Sequence, residues 1–259
     1  MSVAAKKSTS SNLDSSNINS KPNTNFQTLY TIGGIAAFLQ LIVILAYGII
    51  IAILGPKPST AEEFFLVQQN NPLAAVLRGD FLLLALIGLY LFTFSALYFA
   101  LRRVSPVFSA LATLFTFIVV ATTFATESTF SLLNLGEKFT AAISDVERAQ
   151  FLAAGEAVIA SDMWNSSAAY MGGILLQGSG VMISVIMLRS KDFSKWTAYS
   201  GIIANSLDLI QHILHPFFPP FSGLIMSIMG LFYFIWFPLL GRDLLKLGHR
   251  NQNELEAAQ

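Results

Sequence analysis

Apolar stretches of bilayer length alternate with short polar connections along most of this chain. About 20 successive apolar residues, folded as an α-helix, are needed to cross the roughly 30 Å hydrocarbon core of a membrane. The backbone must be helical there, because no water is present to satisfy its polar groups. The pattern therefore predicts an all-α membrane protein, a bundle of six transmembrane helices. The predicted spans are residues 29–54, 81–101, 107–126, 165–188, 196–217 and 221–240.

Basic residues fall on alternate connections between these spans. If the N-terminus lies in the cytoplasm, eleven Lys and Arg residues lie inside and four lie outside, in agreement with the positive-inside rule. A model with five or seven spans would break this alternation, so both termini are predicted to be cytoplasmic. The inner residues are Lys6, Lys7, Lys21, Arg102, Arg103, Arg189, Lys191, Lys195, Arg242, Lys246 and Arg250, and the outer ones are Lys57, Arg78, Lys138 and Arg148.

The two ends of the chain are polar. Residues 1–26 are rich in Ser, Asn and Lys and hold too little apolar surface to offset the entropy of ordering, so they are predicted to be a disordered cytoplasmic tail. The apolar run that follows has full bilayer length, which favours a retained anchor over a cleaved signal peptide. Residues 27–248 form the predicted transmembrane domain, and residues 249–259 form a second cytoplasmic tail.

Two outer connections carry helix-start signals. Thr60 with Glu63, and Ser144 with Glu147, have the spacing of a capping box, in which the two side chains satisfy backbone groups at a helix N-terminus. Pro72 marks the end of the first segment. Short amphipathic helices are therefore predicted on the outer side, where nine acidic residues stand against four basic ones.

Composition supports a lipid environment and excludes several other classes. Hydrophobic residues make up 54% of the chain and charged residues 12%, with a mean hydropathy of +0.62, whereas soluble domains carry roughly 25% charged residues. The net charge is zero and no run of basic residues exceeds two, which excludes nucleic acid as a partner. The chain has no Cys, which excludes disulfides, thiolate metal sites and a Cys nucleophile. The lipid bilayer is the predicted partner.

The fifth predicted span carries a stripe of polar residues. At 100° per residue, Asn205, Asp208, Gln211, His212 and His215 fall within a sector of about 120°. An ionisable side chain at mid-membrane costs roughly 2.5 to 3.5 kcal/mol, so it faces the bundle interior, has a partner and is a functional candidate. This polar stripe is therefore predicted to line the bundle interior from mid-membrane to the outer side.

Two amide side chains on other spans lie at the depth of Asp208. With a rise of about 1.5 Å per residue, Gln40 and Gln177 lie roughly 16 to 18 Å from the inner surface, level with Asp208. Three interpretations stay open. Asp208 is a structural acid hydrogen-bonded to Gln40 or Gln177, or it belongs to a proton or substrate path. In the third interpretation it binds a metal ion with His212 and His215, although no HExxH motif is present.

The sequence Gly-Ser-Gly at 178–180, with His212 on the next span, resembles the serine motif of intramembrane proteases. The depths of Ser179 and His212 differ by about 10 Å, which is too far for a hydrogen bond. The glycines at 172, 173, 178 and 180 are instead predicted to allow close helix packing. The RGD triplet at 78–80 has a high chance frequency and is assigned no role.

Several segments together resemble one protein family. They are LYTIGGIAAFLQLIVIL, ALYFALRRVSP, AAGEAVIA, VIMLRSKDFSKWTAYSGIIAN and IWFPLLGRDLLKLG, and they are similar to an uncharacterised bacterial membrane family, domain of unknown function 4386. The resemblance covers nearly everything after the N-terminal tail. It implies a six-helix protein of the bacterial inner membrane, with no assigned activity and no catalytic residues.

Three classes of function remain open on the sequence alone. A carrier or binding protein for a small molecule or ion needs a polar cavity, which Gln40, Gln177 and Asp208 would line. An accessory or sensory protein would act through helix partners without catalysis. A metal-dependent membrane hydrolase needs an activated water, for which the polar stripe with Glu127 or Asp162 is the candidate set. The carrier or binding protein is preferred over an enzyme, and the sequence assigns no cofactor and no oligomeric state.

Overall fold

The computed structural model describes residues 24–256, with side chains described at 26–218, 224–226 and 228–250. In this range the chain folds into ten α-helices and contains no strand, which confirms the predicted all-α class. Residues 1–23 of the predicted N-terminal tail lie outside the described range. The helices are α1 (Thr24–Leu54), α2 (Ala61–Asn70), α3 (Pro72–Arg78), α4 (Phe81–Leu101), α5 (Pro106–Thr126), α6 (Thr129–Ala141), α7 (Asp145–Ala160), α8 (Ser167–Met187), α9 (Lys195–Leu214) and α10 (Pro219–Glu256).

The six long helices pack as a closed ring. α1 contacts α4 and α10, α5 contacts α4 and α8, and α9 contacts α8 and α10. Buried aliphatic and aromatic side chains, among them Phe94, Ile183 and Trp236, form the core between the helices. Each helix therefore packs mainly on two neighbours, α4 and α8 also touch each other, and α9 completes the ring.

Five helices of the described chain are long and apolar enough to cross a membrane. α9 has a similar length, 20 residues, but the polar stripe lowers its hydropathy and it is not among the five. The apolar helices identify a membrane protein. Whether α9 crosses the membrane as a sixth span depends on how it packs against its neighbours. The five segments are Phe26–Leu54, Phe81–Leu101, Pro106–Ala141, which takes in both α5 and α6, Ser167–Met187 and Leu224–Arg250.

The outward faces of the ring helices are apolar. Ile53 on α1, Phe108 on α5 and Leu231 on α10 expose 75%, 55% and 64% of their surface. Soluble monomers rarely expose apolar patches larger than a few hundred Å², so this surface is suited to contact with lipid chains. It agrees with association of the ring with a bilayer.

The two ends of the ring differ in charge. Lys57, just after α1, contacts Asp80, just before α4, and Asp162, shortly before α8, so these helix termini share one end, which we call the cap end. The opposite end, which we call the basic end, carries eight Lys and Arg residues and two Asp residues between positions 24 and 250. They are Arg102, Arg103, Arg189, Lys191, Lys195, Arg242, Lys246 and Arg250, with Asp192 and Asp243.

Helices α2, α6 and α7 form a small cap with its own apolar core. Phe64, Phe65 and Leu132 are buried in it. A Cβ atom at Gly155 of α7 would lie only 2.6 Å from the Cβ of Ala61 on α2, so the glycine permits these two helices to touch. The cap adjoins the ring at this end, where the Thr129 hydroxyl of α6 accepts the Asp80 backbone N–H at 3.3 Å.

Both capping boxes predicted from the sequence are confirmed. The Thr60 hydroxyl accepts the Glu63 backbone N–H at 3.2 Å, and the Ser144 hydroxyl accepts that of Glu147 at 3.3 Å. The two glutamate carboxylates in turn accept the backbone N–H groups of Ser59 and Ile143. α2 ends at Asn70, next to the predicted stop, whereas α3 and α6 were not predicted.

The last helix is longer than the predicted sixth span. α10 continues past Leu240 to Glu256, because Leu244 and Leu247 are buried against neighbouring helices. Close packing on α1 is possible at Gly248, where an added Cβ would lie 2.9 Å from the Thr31 hydroxyl. Residues 249–256, which the sequence assigned to a polar tail, are therefore helical.

Candidate functional site

The polar stripe of α9 lies in the interior of the ring for most of its length. Asn205, Asp208 and Gln211 are buried, and Asp208 exposes only 6% of its surface. His212 is partly buried and His215, at the C-terminal end of the helix, is exposed. The buried part of the stripe therefore needs hydrogen-bond partners from the neighbouring helices.

Tyr233 of α10 supplies the central partner. Its hydroxyl donates to the Asp208 carboxylate at 2.8 Å and also lies 3.0 Å from the Gln177 carbonyl oxygen on α8. A third acceptor, the Asn205 side-chain oxygen, lies 3.4 Å away. A phenol hydroxyl donates one hydrogen bond. An ionised Asp208 is a stronger acceptor than the two amide oxygens, so it accepts this bond in preference to them.

His212 is the second partner of Asp208. Its Nδ1 atom lies 3.0 Å from the carboxylate, one helical turn away on the same helix. The tautomer with hydrogen on Nδ1, or the doubly protonated ring, donates this bond. Asp208, His212 and Tyr233 thus form a hydrogen-bonded group with Gln177 and Asn205, which we call the Asp208 cluster.

Two glycines of α8 make room for this cluster. A Cβ atom at Gly173 would lie 1.9 Å from the His212 ring, and one at Gly180 would lie 2.0 Å from the Asn205 amide. The predicted close packing is confirmed at these two positions. It is wrong for Gly178, which has open space on its Cβ side, and Gly172 makes only an ordinary contact at 3.7 Å.

Gln40 does not belong to the Asp208 cluster, because its side chain hydrogen-bonds to a different helix. Its side chain is fully buried, but its oxygen accepts the Thr93 hydroxyl of α4 at 3.1 Å. Its Nε2 atom is buried and has no hydrogen-bond partner within the described residues. Of the two amides predicted at the depth of Asp208, Gln177 therefore joins the cluster through Tyr233, and Gln40 bonds to α4.

The described residues contain no group of three His, Asp or Glu side chains arranged to hold a metal ion. The possible ligands Asp208, His212 and His215 accordingly do not converge as a trio. Glu127 accepts a backbone N–H at its own helix junction, and Asp162 binds Lys57. The geometry gives no support to the hydrolase interpretation.

Ser179 has no histidine partner within the described residues. Its hydroxyl donates to the Leu175 carbonyl of its own helix at 2.7 Å. The His212 ring packs against Gly173, six residues away along α8, which corresponds to about 9 Å of rise. This separation agrees with the depth difference inferred from the sequence.

A second buried polar group lies at the cap end. Lys57 Nζ donates to Asp80 at 2.5 Å and to Asp162 at 2.9 Å, and the two carboxylates expose 1% and 0% of their side-chain surfaces. Burial by itself lowers the pKa of Lys57, but the charges and hydrogen bonds of both carboxylates together raise it by more, so the pKa lies above its ordinary value of 10.5. We call this group the Lys57 clasp.

The RGD triplet belongs to the same region. Asp80 is fully buried in the clasp, and Arg78 pairs with Glu63 at 3.1 Å and donates to the Pro56 carbonyl. A Cβ atom at Gly79 would lie 2.7 Å from the Thr129 hydroxyl. The triplet therefore has a structural role and presents no free adhesion loop.

Sequence reasoning missed Tyr233 and the clasp. Tyr233 stands in an apolar segment, and a buried tyrosine hydroxyl usually finds a polar partner, which is a signal that could have paired it with the stripe. For the clasp the signal is Lys57 itself, a lysine just after the first span on an otherwise acidic side. Neither signal identifies the partner helix.

These features define a class of protein: an all-helical membrane protein with a buried carboxylate–tyrosine–histidine cluster. The chain belongs to the family described as "Domain of unknown function (DUF4386)", whose model matches residues 31–240. The match covers the ring from α1 into α10 and includes every residue of the Asp208 cluster. Comparison with curated proteins and with solved structures gives no significant match.

Proposed function

We propose that this protein is a small carrier or binding protein of the membrane, and that the Asp208 cluster is its site for a proton or a small cation. The observation that carries the proposal is a buried carboxylate bonded to both a tyrosine and a histidine, Asp208 with Tyr233 and His212. Ionisable residues inside membrane bundles are costly, and they mark ion pathways and proton relays. A structural role alone would be met by neutral side chains.

The cluster has two hydrogen-bonding arrangements that differ by one proton. When Asp208 is ionised, it accepts from Tyr233 and His212. When Asp208 is protonated, it can donate to the Tyr233 oxygen, which frees the phenol proton for the Gln177 oxygen 3.0 Å away. Protonation thus reverses the hydrogen bond between α9 and α10 and directs the phenol proton of α10 to Gln177 on α8. Such an exchange of partners is the kind of two-state element that a carrier needs.

The function requires that α9 cross the membrane, so six spans are part of the proposal. α9 runs antiparallel to α8, with Gly173 beside His212 and Gly180 beside Asn205, and Ser184 beside Gly201. These contacts run from position 173 to position 184 of α8, or about 16 Å along the bundle. A helix lying on the membrane surface would not follow a spanning neighbour over this distance. The basic end would face the cytoplasm under the positive-inside rule.

Single cysteines test this topology directly, since the chain has none of its own. In intact cells, a membrane-impermeant thiol reagent is expected to label Lys138→Cys and Phe217→Cys, and to label Lys191→Cys only after permeabilisation. All three positions are exposed. The unsubstituted protein serves as the unlabelled control. If Phe217→Cys and Lys191→Cys are labelled from the same side, α9 does not cross and the six-span proposal is wrong.

Proton flux into vesicles tests the function. Purified protein reconstituted with a pH-sensitive dye inside the vesicles is expected to dissipate an imposed pH gradient faster than empty vesicles do. Asp208→Asn and Asp208→Leu should reduce this rate by at least about tenfold, because neither side chain exchanges a proton. Tyr233→Phe should also reduce it, because it removes the hydroxyl that links Asp208 to Gln177.

Ser179→Ala is the matched control for these variants. Ser179 is buried on the same helix as Gln177, but among the described residues its hydroxyl bonds to the backbone of its own helix, so the flux should remain at the wild-type rate. Wild-type vesicles that are no faster than empty ones would contradict the carrier function. A wild-type rate in Asp208→Asn would show that the carboxylate is only a structural acid.

A further inference from the structure

A second candidate site lies at the basic end, far from the Asp208 cluster. An open groove of about 530 Å³ runs between α1 and the last turns of α10. Its lining combines two apolar side chains with four basic ones. The lining residues are Phe38, Arg242, Leu245, Lys246, His249 and Arg250.

The basic side chains occupy one face of α10. Positions 242, 246, 249 and 250 follow the spacing of residues that share a helix face. Arg242 uses Nε and Nη2 to bind Asp243, and Arg250 binds Asp192. The Nη1 group of Arg242 remains for another acceptor. Lys246 is exposed and has no ion pair within the described part of the chain.

The apolar side of the groove continues into the lipid-facing surface. Phe38 of α1 shares its helix face with Ile35 and Ile42, which lie within about 60° of it and expose 49% and 57% of their surface. A soluble phosphate compound would need only the basic rim of the groove. An apolar wall that leads directly from this rim to the lipid-facing surface fits a ligand with both an anionic head and an acyl chain.

We propose that this groove binds an anionic phospholipid. The headgroup phosphate lies against Lys246, His249 and the free edge of Arg242, and one acyl chain follows Phe38 and Ile42 along α1. The excess of basic over acidic residues at this end draws anionic lipids to it. The site is independent of Asp208 and does not rest on the carrier function.

Lipid binding to the purified protein tests the site. Delipidated wild-type protein in a neutral detergent is titrated with phosphatidylglycerol or with phosphatidylcholine of the same chains, and bound lipid is counted by native mass spectrometry. We expect clearly tighter binding of phosphatidylglycerol. Lys246→Gln with His249→Gln should weaken that binding by roughly fivefold or more, about the effect of one basic residue near an anionic lipid surface.

The matched control removes two basic residues from the same end but outside the groove. Arg103→Gln with Lys191→Gln changes exposed positions and should leave the preference for phosphatidylglycerol intact. An equal loss in this control would show general charge attraction and overturn the site. Equal binding of phosphatidylcholine would also overturn it. Glycerol phosphate, the headgroup without chains, should not compete, and competition by it would show a site for free phosphate.

Discussion

Replacing Lys57 by methionine is expected to lower the free energy of unfolding by about 3 kcal/mol or more, the typical cost of removing one partner from a buried ion pair. The variant keeps two carboxylates, Asp80 and Asp162, whose side chains are almost completely buried. One Asp80 oxygen already lacks a hydrogen-bond partner within the described residues, so the loss of Lys57 leaves this carboxylate with little compensation. Unfolding in detergent, followed by circular dichroism, measures the effect.

Lys138→Met is the matched control for Lys57→Met. Lys138 is an exposed lysine of the cap, so its replacement should change stability by no more than about 0.5 kcal/mol. Adding Asp80→Asn and Asp162→Asn to Lys57→Met should recover much of the lost stability, because the buried charges disappear together. If Lys57→Met is as stable as Lys138→Met, the clasp does not hold the helix ends together.

The clasp also predicts a pH dependence. The folded state raises the pKa of Lys57 above its ordinary value of 10.5, so folding favours the charged ammonium. The contribution of the charged Lys57 to the free energy of unfolding is fully present below the unfolded-state pKa. It is lost as the pH rises through the higher folded-state pKa. Wild-type protein should therefore lose stability above about pH 10.5. Lys57→Met should lack this component, and an identical alkaline loss in both proteins would contradict it.

Gly33→Ala is expected to destabilise the ring by about 1 to 3 kcal/mol, the usual cost of overpacking. The added Cβ atom would lie 2.3 Å from the Cβ of Ala96 on α4 and 3.2 Å from the Phe92 carbonyl oxygen. The Ala96 Cβ is fixed to its backbone and cannot rotate away, so α1 and α4 must separate. The midpoint of thermal unfolding in detergent measures the loss.

Gly48→Ala in the same helix is the control for Gly33→Ala. A Cβ atom at Gly48 meets nothing within 4 Å, so the substitution should be neutral or should stabilise by up to about 1 kcal/mol through helix propensity. Ala96→Gly combined with Gly33→Ala restores the room and should recover part of the stability. A Gly33→Ala protein as stable as Gly48→Ala would contradict the close crossing of α1 and α4.

Hydrophobic length and local capping signals determined much of this protein from the sequence alone. Helix is the only structure in which an isolated apolar segment satisfies its own backbone in lipid, so the helices at 81–101 and 107–126 follow from composition. The capping signals at Thr60 and Ser144 are local, because each side chain reaches a backbone group three residues away. The interior placement of Asp208 also follows from the sequence, since a charge facing lipid is too costly.

Only the tertiary structure decided which side chains meet. Gln40 and Gln177 have the same predicted depth, but depth does not specify which helices are neighbours. The ring places α9 between α8 and α10, so Tyr233 reaches Asp208 and links it to Gln177, while Gln40 accepts from Thr93 of α4. The same reasoning holds for the Lys57 clasp, which joins residues 105 positions apart. Periodicity and local spacing carry no information about contacts over such separations, because these depend on the order in which the helices pack.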